Sequence, residues 1–311
     1  MADALLFKST YDDSSHWGRV LGTHVPGLEV RVWPEVGRVE DIAYALVWKP
    51  EHGDLKRYPN LKVILSLGAG VDHVFEDPEL PRGVPVARIV DLDLAAQLSE
   101  YVLYGVLHFH RKMPAYLENQ RRREWGKPGR AVARQCRVGV MGLGVIGGDA
   151  ARKLAALDFD VRGWSRTEKR IEGIKCFHGS DQLAPFLRET DILVCVLPLT
   201  RATNGIINAK TLALLPRGAH LINIARGAHI VDDDLLAALD SGQIAGALLD
   251  VFRAEPVPRE HRFWTHPKVI ITPHIAGDPN PDTAAEQVAD NILRARAGRP
   301  LANVVNAAAE Y

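Results

Sequence analysis

The sequence is poor in the residues that staple small secreted folds. It has 3 cysteines in 311 residues, Cys136, Cys176 and Cys195, an odd number with no C-x-x-C spacing, so neither a disulfide framework nor a zinc cluster is expected. Cys195, inside the apolar run 192–197, reads as a small buried hydrophobe. An excess of charge is also missing: 38 basic residues balance 38 acidic ones, which removes the electrostatic case for nucleic acid or an anionic membrane. The basic run Arg121-Arg122-Arg123 meets Glu124 at once and reads as a solvated helix end. No stretch reaches the roughly 18 apolar residues of a membrane span. Residues 1–8 lack the basic start and long apolar core of a secretory leader, so a cytoplasmic protein is expected. Among 12 histidines there is no H-E-x-x-H, and His108 and His110 would leave a helix on different faces, so no metal site is expected.

What the chain does have is rhythm. Short apolar runs alternate with helical patterns throughout, which predicts a parallel α/β architecture. In the first part the runs are 4–8, 28–33, 43–48, 63–67 and 84–90. A long amphipathic helix is expected from near Asp93, with Leu98, Val102, Val106 and Phe109 on one face. Pro114 should break or kink it, with a second helical stretch from about Tyr116 and a linker over 125–130. A second series starts at Arg137, with strands expected at 138–141, 161–164, 192–197, 219–224, 246–250 and 269–271. Six strands with intervening helices suit a dinucleotide-binding sheet. One more helix is expected over 283–297.

The run Val138-Gly139-Val140-Met141-Gly142-Leu143-Gly144-Val145-Ile146-Gly147 is a strand leading into G-x-G-x-x-G. Gly142 permits the tight turn, Gly144 lets a pyrophosphate approach the backbone, and Gly147 lets helix and strand pack closely. The amides at the helix start, at Val145 and Ile146, would then face the phosphates. An NAD site usually ends its second strand in Asp or Glu, about 20 residues further on. Here that strand ends Trp164-Ser165-Arg166, and Glu168 comes later, among cations. Ser165 and Arg166 suit an anionic 2′-phosphate, so NADP(H) is expected over NAD(H).

Three islands follow later strands: Asn223-Ile224-Ala225-Arg226-Gly227, Asp250-Val251-Phe252-Arg253-Ala254-Glu255-Pro256, and Thr272-Pro273-His274-Ile275-Ala276-Gly277. The carboxyl edge of a parallel sheet is where ligands bind. A permanent cation, a carboxylate and an imidazole there form a set suited to reducing a carbonyl. His274 can protonate the developing alkoxide, Glu255 can hold the ring's tautomer, and Arg226 can grip a substrate carboxylate in two places.

Together with Leu197-Pro198-Leu199-Thr200 and Trp264-Thr265-His266-Pro267, these motifs resemble the D-isomer-specific 2-hydroxyacid dehydrogenase family. Trp164-Ser165-Arg166 and Asp232-Asp233-Asp234-Leu235-Leu236 look most like its NADPH-dependent glyoxylate/hydroxypyruvate reductase A branch. The resemblance implies Arg226, Glu255 and His274 as the catalytic set. It implies Leu197, Pro198, Thr203, Ala225 and Asp250 as cofactor contacts. For the substrate it implies Trp48 as a pocket wall and the amides of Ala69 and Gly70, in Leu67-Gly68-Ala69-Gly70-Val71-Asp72, as an anion nest.

The expected protein is α/β with two doubly wound parallel-sheet domains. A Rossmann cofactor domain, residues 99–274, is inserted into a flavodoxin-like substrate domain, residues 1–98 and 275–311, with the active site in the cleft. The expected reaction is NADPH-dependent reduction of a small 2-keto acid, by a homodimer. A formate or phosphite dehydrogenase of the same architecture and a dinucleotide-sensing corepressor are the competing readings. The loop 276–281 and the segment 125–134 depart from the branch, which leaves the substrate preference open.

Overall fold

The computed structural model describes residues 3–306. The fold is α/β, with two sheets whose strand pairs are all parallel. The chain divides into two compact units: one takes the chain up to Leu94 and resumes at Asp278, and the other is Ala95–Gly277.

In the first unit, β1 (Ala4–Lys8), β2 (Glu29–Val32), β3 (Ile42–Val47), β4 (Val63–Ser66) and β5 (Val86–Arg88) form a sheet in the order β2-β1-β3-β4-β5. Every residue of β1, β3 and β4 is buried, as expected of parallel strands covered on both faces. Trp17, Val20 and Leu21 of the helix Ser14–His24 join Ala284, Ala285, Val288 and Ile292 of the helix Pro281–Arg296 in one core with β1 and β3. Asp13 starts the first of these helices by accepting the backbone N–H groups of Ser15 and His16 at 2.9 and 3.3 Å.

In the second unit the strands are β6 (Arg137–Met141), β7 (Asp160–Ser165), β8 (Lys175–His178), β9 (Ile192–Cys195), β10 (Ala219–Asn223), β11 (Ile244–Leu249) and β12 (Val269–Ile271). They stand in the order β12-β11-β10-β9-β6-β7-β8, seven strands where the sequence pattern predicted six. The additional strand is β8, a four-residue edge strand in which only Phe177 is buried, so its apolar signal is too thin to read. Side chains alternate between cores: Val138, Val140, Ile192 and Val194 face one, and Met141, Leu193 and Cys195 the other. Cys195 is buried as expected, and burial pushes its thiol up to about 12.

The long helix runs Leu92–His110. It ends before Pro114 rather than at it. Lys112 turns the chain with φ +58°, and a new helix, Met113–Arg122, carries Pro114 in its first turn. There the missing proline N–H has no intrahelical partner to lose. Among the described residues no helix is long and apolar enough to cross a membrane.

Candidate active site

The strand order of the second sheet reverses between β6 and β9, and a parallel sheet opens a crevice at such a point. The glycine turn follows β6 there. Gly142 has φ +104°, and a β-carbon on it would lie 2.7 Å from the Val196 carbonyl oxygen. A β-carbon on Gly147 would lie 1.8 Å from the Gly142 oxygen, so only glycine lets the helix Val145–Ala156 start this close to the turn. Gly144 differs: a β-carbon there would meet nothing within 4 Å. Packing within the chain does not demand glycine at that position, whereas a phosphate lying against the backbone would. Gly144 caps the helix with no side-chain hydrogen bond, so the amides of Val145 and Ile146 open the helix with their dipole toward this space. The turn therefore fits a dinucleotide.

Beside it, β7 ends at Ser165, which is buried, and its hydroxyl donates to the Thr167 oxygen at 2.8 Å. Arg166 is exposed, and the later carboxylate Glu168 accepts from Arg170 at 3.1 Å. The concavity that follows is of mixed charge, with Lys169, Arg170 and His178 beside Glu168 and Glu172. After β9, Leu197 and Pro198 are braced by Thr203, whose hydroxyl donates to the Pro198 oxygen at 2.7 Å and accepts the Thr200 N–H at 2.9 Å.

The three islands follow β10, β11 and β12, three neighbouring strands. His274 Nδ1 lies 3.0 Å from Glu255 Oε2, and the other carboxylate oxygen accepts the Phe252 N–H at 3.0 Å. The pair is partly shielded, with side chains 31% and 20% exposed. His274 is held with φ +58°, in the left-handed region that β-carbons disfavour. Its loop is over-determined by Asp250, a fully buried carboxylate at the end of β11. Asp250 accepts the Thr272 hydroxyl at 2.6 Å and the N–H groups of Ile275 and Ala276 at 2.9 Å each. Tyr101 hydrogen-bonds the same Thr272 hydroxyl, and burial pushes its phenol up to about 12.

Arg226 leaves β10 through Ala225, whose oxygen accepts from its guanidinium at 2.8 Å. Buried Asn223 anchors that exit, receiving the Ala225 N–H at 3.1 Å and donating to the Arg226 oxygen at 2.9 Å. Gly227 then presses on the next island: a β-carbon there would stand 1.9 Å from the Phe252 carbonyl carbon. Arg253 reaches back to the Ile230 oxygen at 2.7 Å. The loops bearing Arg226 and Glu255 are thus locked together. Sequence reasoning missed Tyr101, Thr272, Asn223 and His229 as supports. Thr272 and Asn223 carried a local signal, each as the residue opening an island quoted above.

In the first unit, Trp48 follows β3, and its indole lies where a β-carbon on Gly68 would come within 2.6 Å, so it packs on the loop that carries Ala69 and Gly70. Buried Ser66 shapes that loop, its hydroxyl donating to the Gly70 oxygen at 2.9 Å and accepting the Gly68 N–H at 3.2 Å.

Comparison with known proteins adds an independent line. Residues 103–276 match the family model for the NAD-binding domain of D-isomer-specific 2-hydroxyacid dehydrogenases. Glyoxylate/hydroxypyruvate reductase A of Serratia proteamaculans is 42% identical over 312 aligned positions, covering 99% of each chain. Among solved structures, a D-isomer-specific 2-hydroxyacid dehydrogenase of Xanthobacter autotrophicus, in complex with NADPH and MES, superposes with a TM-score of 0.95 at 44% identity over 100% of both chains. The NADPH-dependent glyoxylate/hydroxypyruvate reductase of Sinorhizobium meliloti, in complex with NADP and sulfate, gives 0.92 at 39% identity, again over 100% of both chains.

Proposed function

The chain belongs to the D-isomer-specific 2-hydroxyacid dehydrogenase family, and we propose that it reduces a small 2-keto acid of the glyoxylate or hydroxypyruvate kind with NADPH. The observation that carries this reading is the His274–Glu255 pair, 3.0 Å apart, on loops tied to the one bearing Arg226. When bound, the nicotinamide supplies the hydride for the keto carbon. The residues do the rest. Arg226 binds the substrate carboxylate and draws electron density from the carbonyl. Glu255 accepts a hydrogen bond from the Nδ1–H of His274, so the proton handed to the carbonyl oxygen is the one on Nε2. Hydride and proton together convert the ketone to the secondary alcohol.

Gly142, Gly144, Val145, Ile146 and Gly147 are assigned to the pyrophosphate, and Ser165 and Arg166 to the 2′-phosphate. Leu197, Pro198, Thr203, Ala225 and Asp250 line or brace the cofactor side. Trp48, Ala69 and Gly70 are assigned to the substrate. The second unit also exposes Tyr104, Leu107, Met113, Tyr116 and Leu117 on two successive helices, a patch suited to a second copy of the chain, and we assign a homodimer.

The test is the oxidation of NADPH and of NADH against a panel of 2-keto acids. NADPH with glyoxylate or hydroxypyruvate should be the best pair. Arg166→Asp should reduce the preference for NADPH by about tenfold or more, the scale of a charge-assisted hydrogen bond. Turnover with formate or phosphite instead would refute the reading.

A further inference from the structure

His229 is fully buried, three residues after Arg226, and the reaction scheme gives it no part. Its ring stands between the two halves of the site. Nε2 lies 3.2 Å from the Pro198 oxygen on the loop after β9, and Nδ1 lies 3.2 Å from the Arg226 backbone nitrogen on the loop after β10. A proline carbonyl can only accept, so Nε2 carries the proton; an amide N–H can only donate, so Nδ1 is bare. One neutral tautomer satisfies both contacts. The Arg226 oxygen, 3.0 Å from Nδ1, already receives the Asn223 amide at 2.9 Å and the His229 N–H at 3.2 Å, and does not need the ring. The Pro198 oxygen is shared with Thr203 at 2.7 Å, so this brace and the threonine brace converge on one atom.

We infer that His229 is a positioning residue whose neutral imidazole sets the distance between the cofactor-lining loop at Pro198 and the backbone of Arg226. The inference rests on the proposed roles of those two loops. A ring that only filled the core would be indifferent to which nitrogen was replaced. A ring that couples the loops would not, because each nitrogen serves a different ligand.

Asparagine and glutamine separate the two arms. The side-chain oxygen of His229→Asn can stand near Nδ1 and keep the Arg226 contact, whereas the amide nitrogen of His229→Gln can reach the Nε2 position and keep the Pro198 contact. His229→Phe keeps the ring and loses both. NADPH affinity is read by fluorescence titration without turnover, and KM for glyoxylate and kcat by steady-state assay. His229→Phe should weaken NADPH binding and raise KM, each by about tenfold, with kcat lower. His229→Asn should recover KM but not NADPH affinity, and His229→Gln should recover NADPH affinity but not KM. Equal effects of Asn and Gln on both quantities, or a folded Phe variant matching the parent, would overturn the inference. If Phe does not fold, the Asn and Gln pair still decides it. If the unmodified chain turns over no 2-keto acid, the proposed function fails instead, and the NADPH titrations of Asn and Gln still decide the role of His229.

Discussion

The two units build their sheets by one rule and use the point where strand order reverses in opposite ways. In the first sheet the order reverses between β1 and β3, where β1 ends at Lys8. Lys8 is buried there, donating to Asp54 at 2.9 Å and to Glu51, with its ammonium 4.3 Å from the Trp33 ring centroid. Arg57 adds a second cation on Asp54 at 3.1 Å. These charges neutralise one another at the very place where a ligand would sit. In the second sheet the reversal carries glycines, a proline and uncapped amides. Its ionisable residues stand one, two and three strands beyond β9, on loops locked by Asp250, Asn223 and Gly227. A switch point becomes a site only when the local charges are not consumed in holding the sheet edge.

The sharpest way to break the comparison is His274→Ala. It should lower kcat by roughly two to four decades while leaving NADPH binding intact, the usual loss for a general acid. Kinetics and a fluorescence titration on the same sample would check both halves of that statement.

The glycine turn offers a comparison inside the second unit. Gly147→Ala places a methyl 1.8 Å from a backbone oxygen and should cost about 3 kcal/mol of stability, since backbone must move to admit it. Gly144→Ala meets no protein atom within 4 Å, so its melting curve should hold while its NADPH affinity falls. Thermal melts paired with nucleotide titrations distinguish the two.

At the opposite edge of the same sheet, His220 stacks on Phe109 at 4.5 Å, and burial, with His108 nearby, pushes its pKa from 6.5 down to about 4. The unfolded chain therefore takes up this proton first as pH falls. Stability should be full above 6.5 and decline toward about 4, by on the order of 3 kcal/mol. Burial lowers His108 as well, adding to the same slope. Denaturant titrations of the parent and of His220→Gln should show a shallower pH dependence in the variant.

In the first unit, Lys8→Met should destabilise the fold by about 2 kcal/mol, less than a lone buried charge would cost because Arg57 still reaches Asp54. Activity per folded molecule should not change.

What could be read ahead of the structure was what is local. Gly142, Gly144 and Gly147 lie within six positions, and Arg226, Glu255 and His274 each lie in a short island that follows an apolar run, so pattern alone placed them beyond strand ends. The seventh strand escaped because β8 buries only Phe177. The helix break moved to Lys112 because a left-handed lysine carries no sequence signal, whereas Pro114 does. The supports escaped for a different reason: Tyr101 meets Thr272 from 171 positions away, and His229 meets Pro198 from 31. Such pairings come from tertiary packing, which periodicity does not encode.

The reversal point of the second sheet thus serves the ligand, while that of the first, at Lys8, holds structure. Measuring kcat and thermal midpoint for His274→Ala and Lys8→Met side by side tests it most directly. A crossed result is expected, with turnover lost and the midpoint kept in the first, and the midpoint lowered and turnover kept in the second. Parent-like turnover in His274→Ala, or lost turnover at an unchanged midpoint in Lys8→Met, would contradict this division of roles.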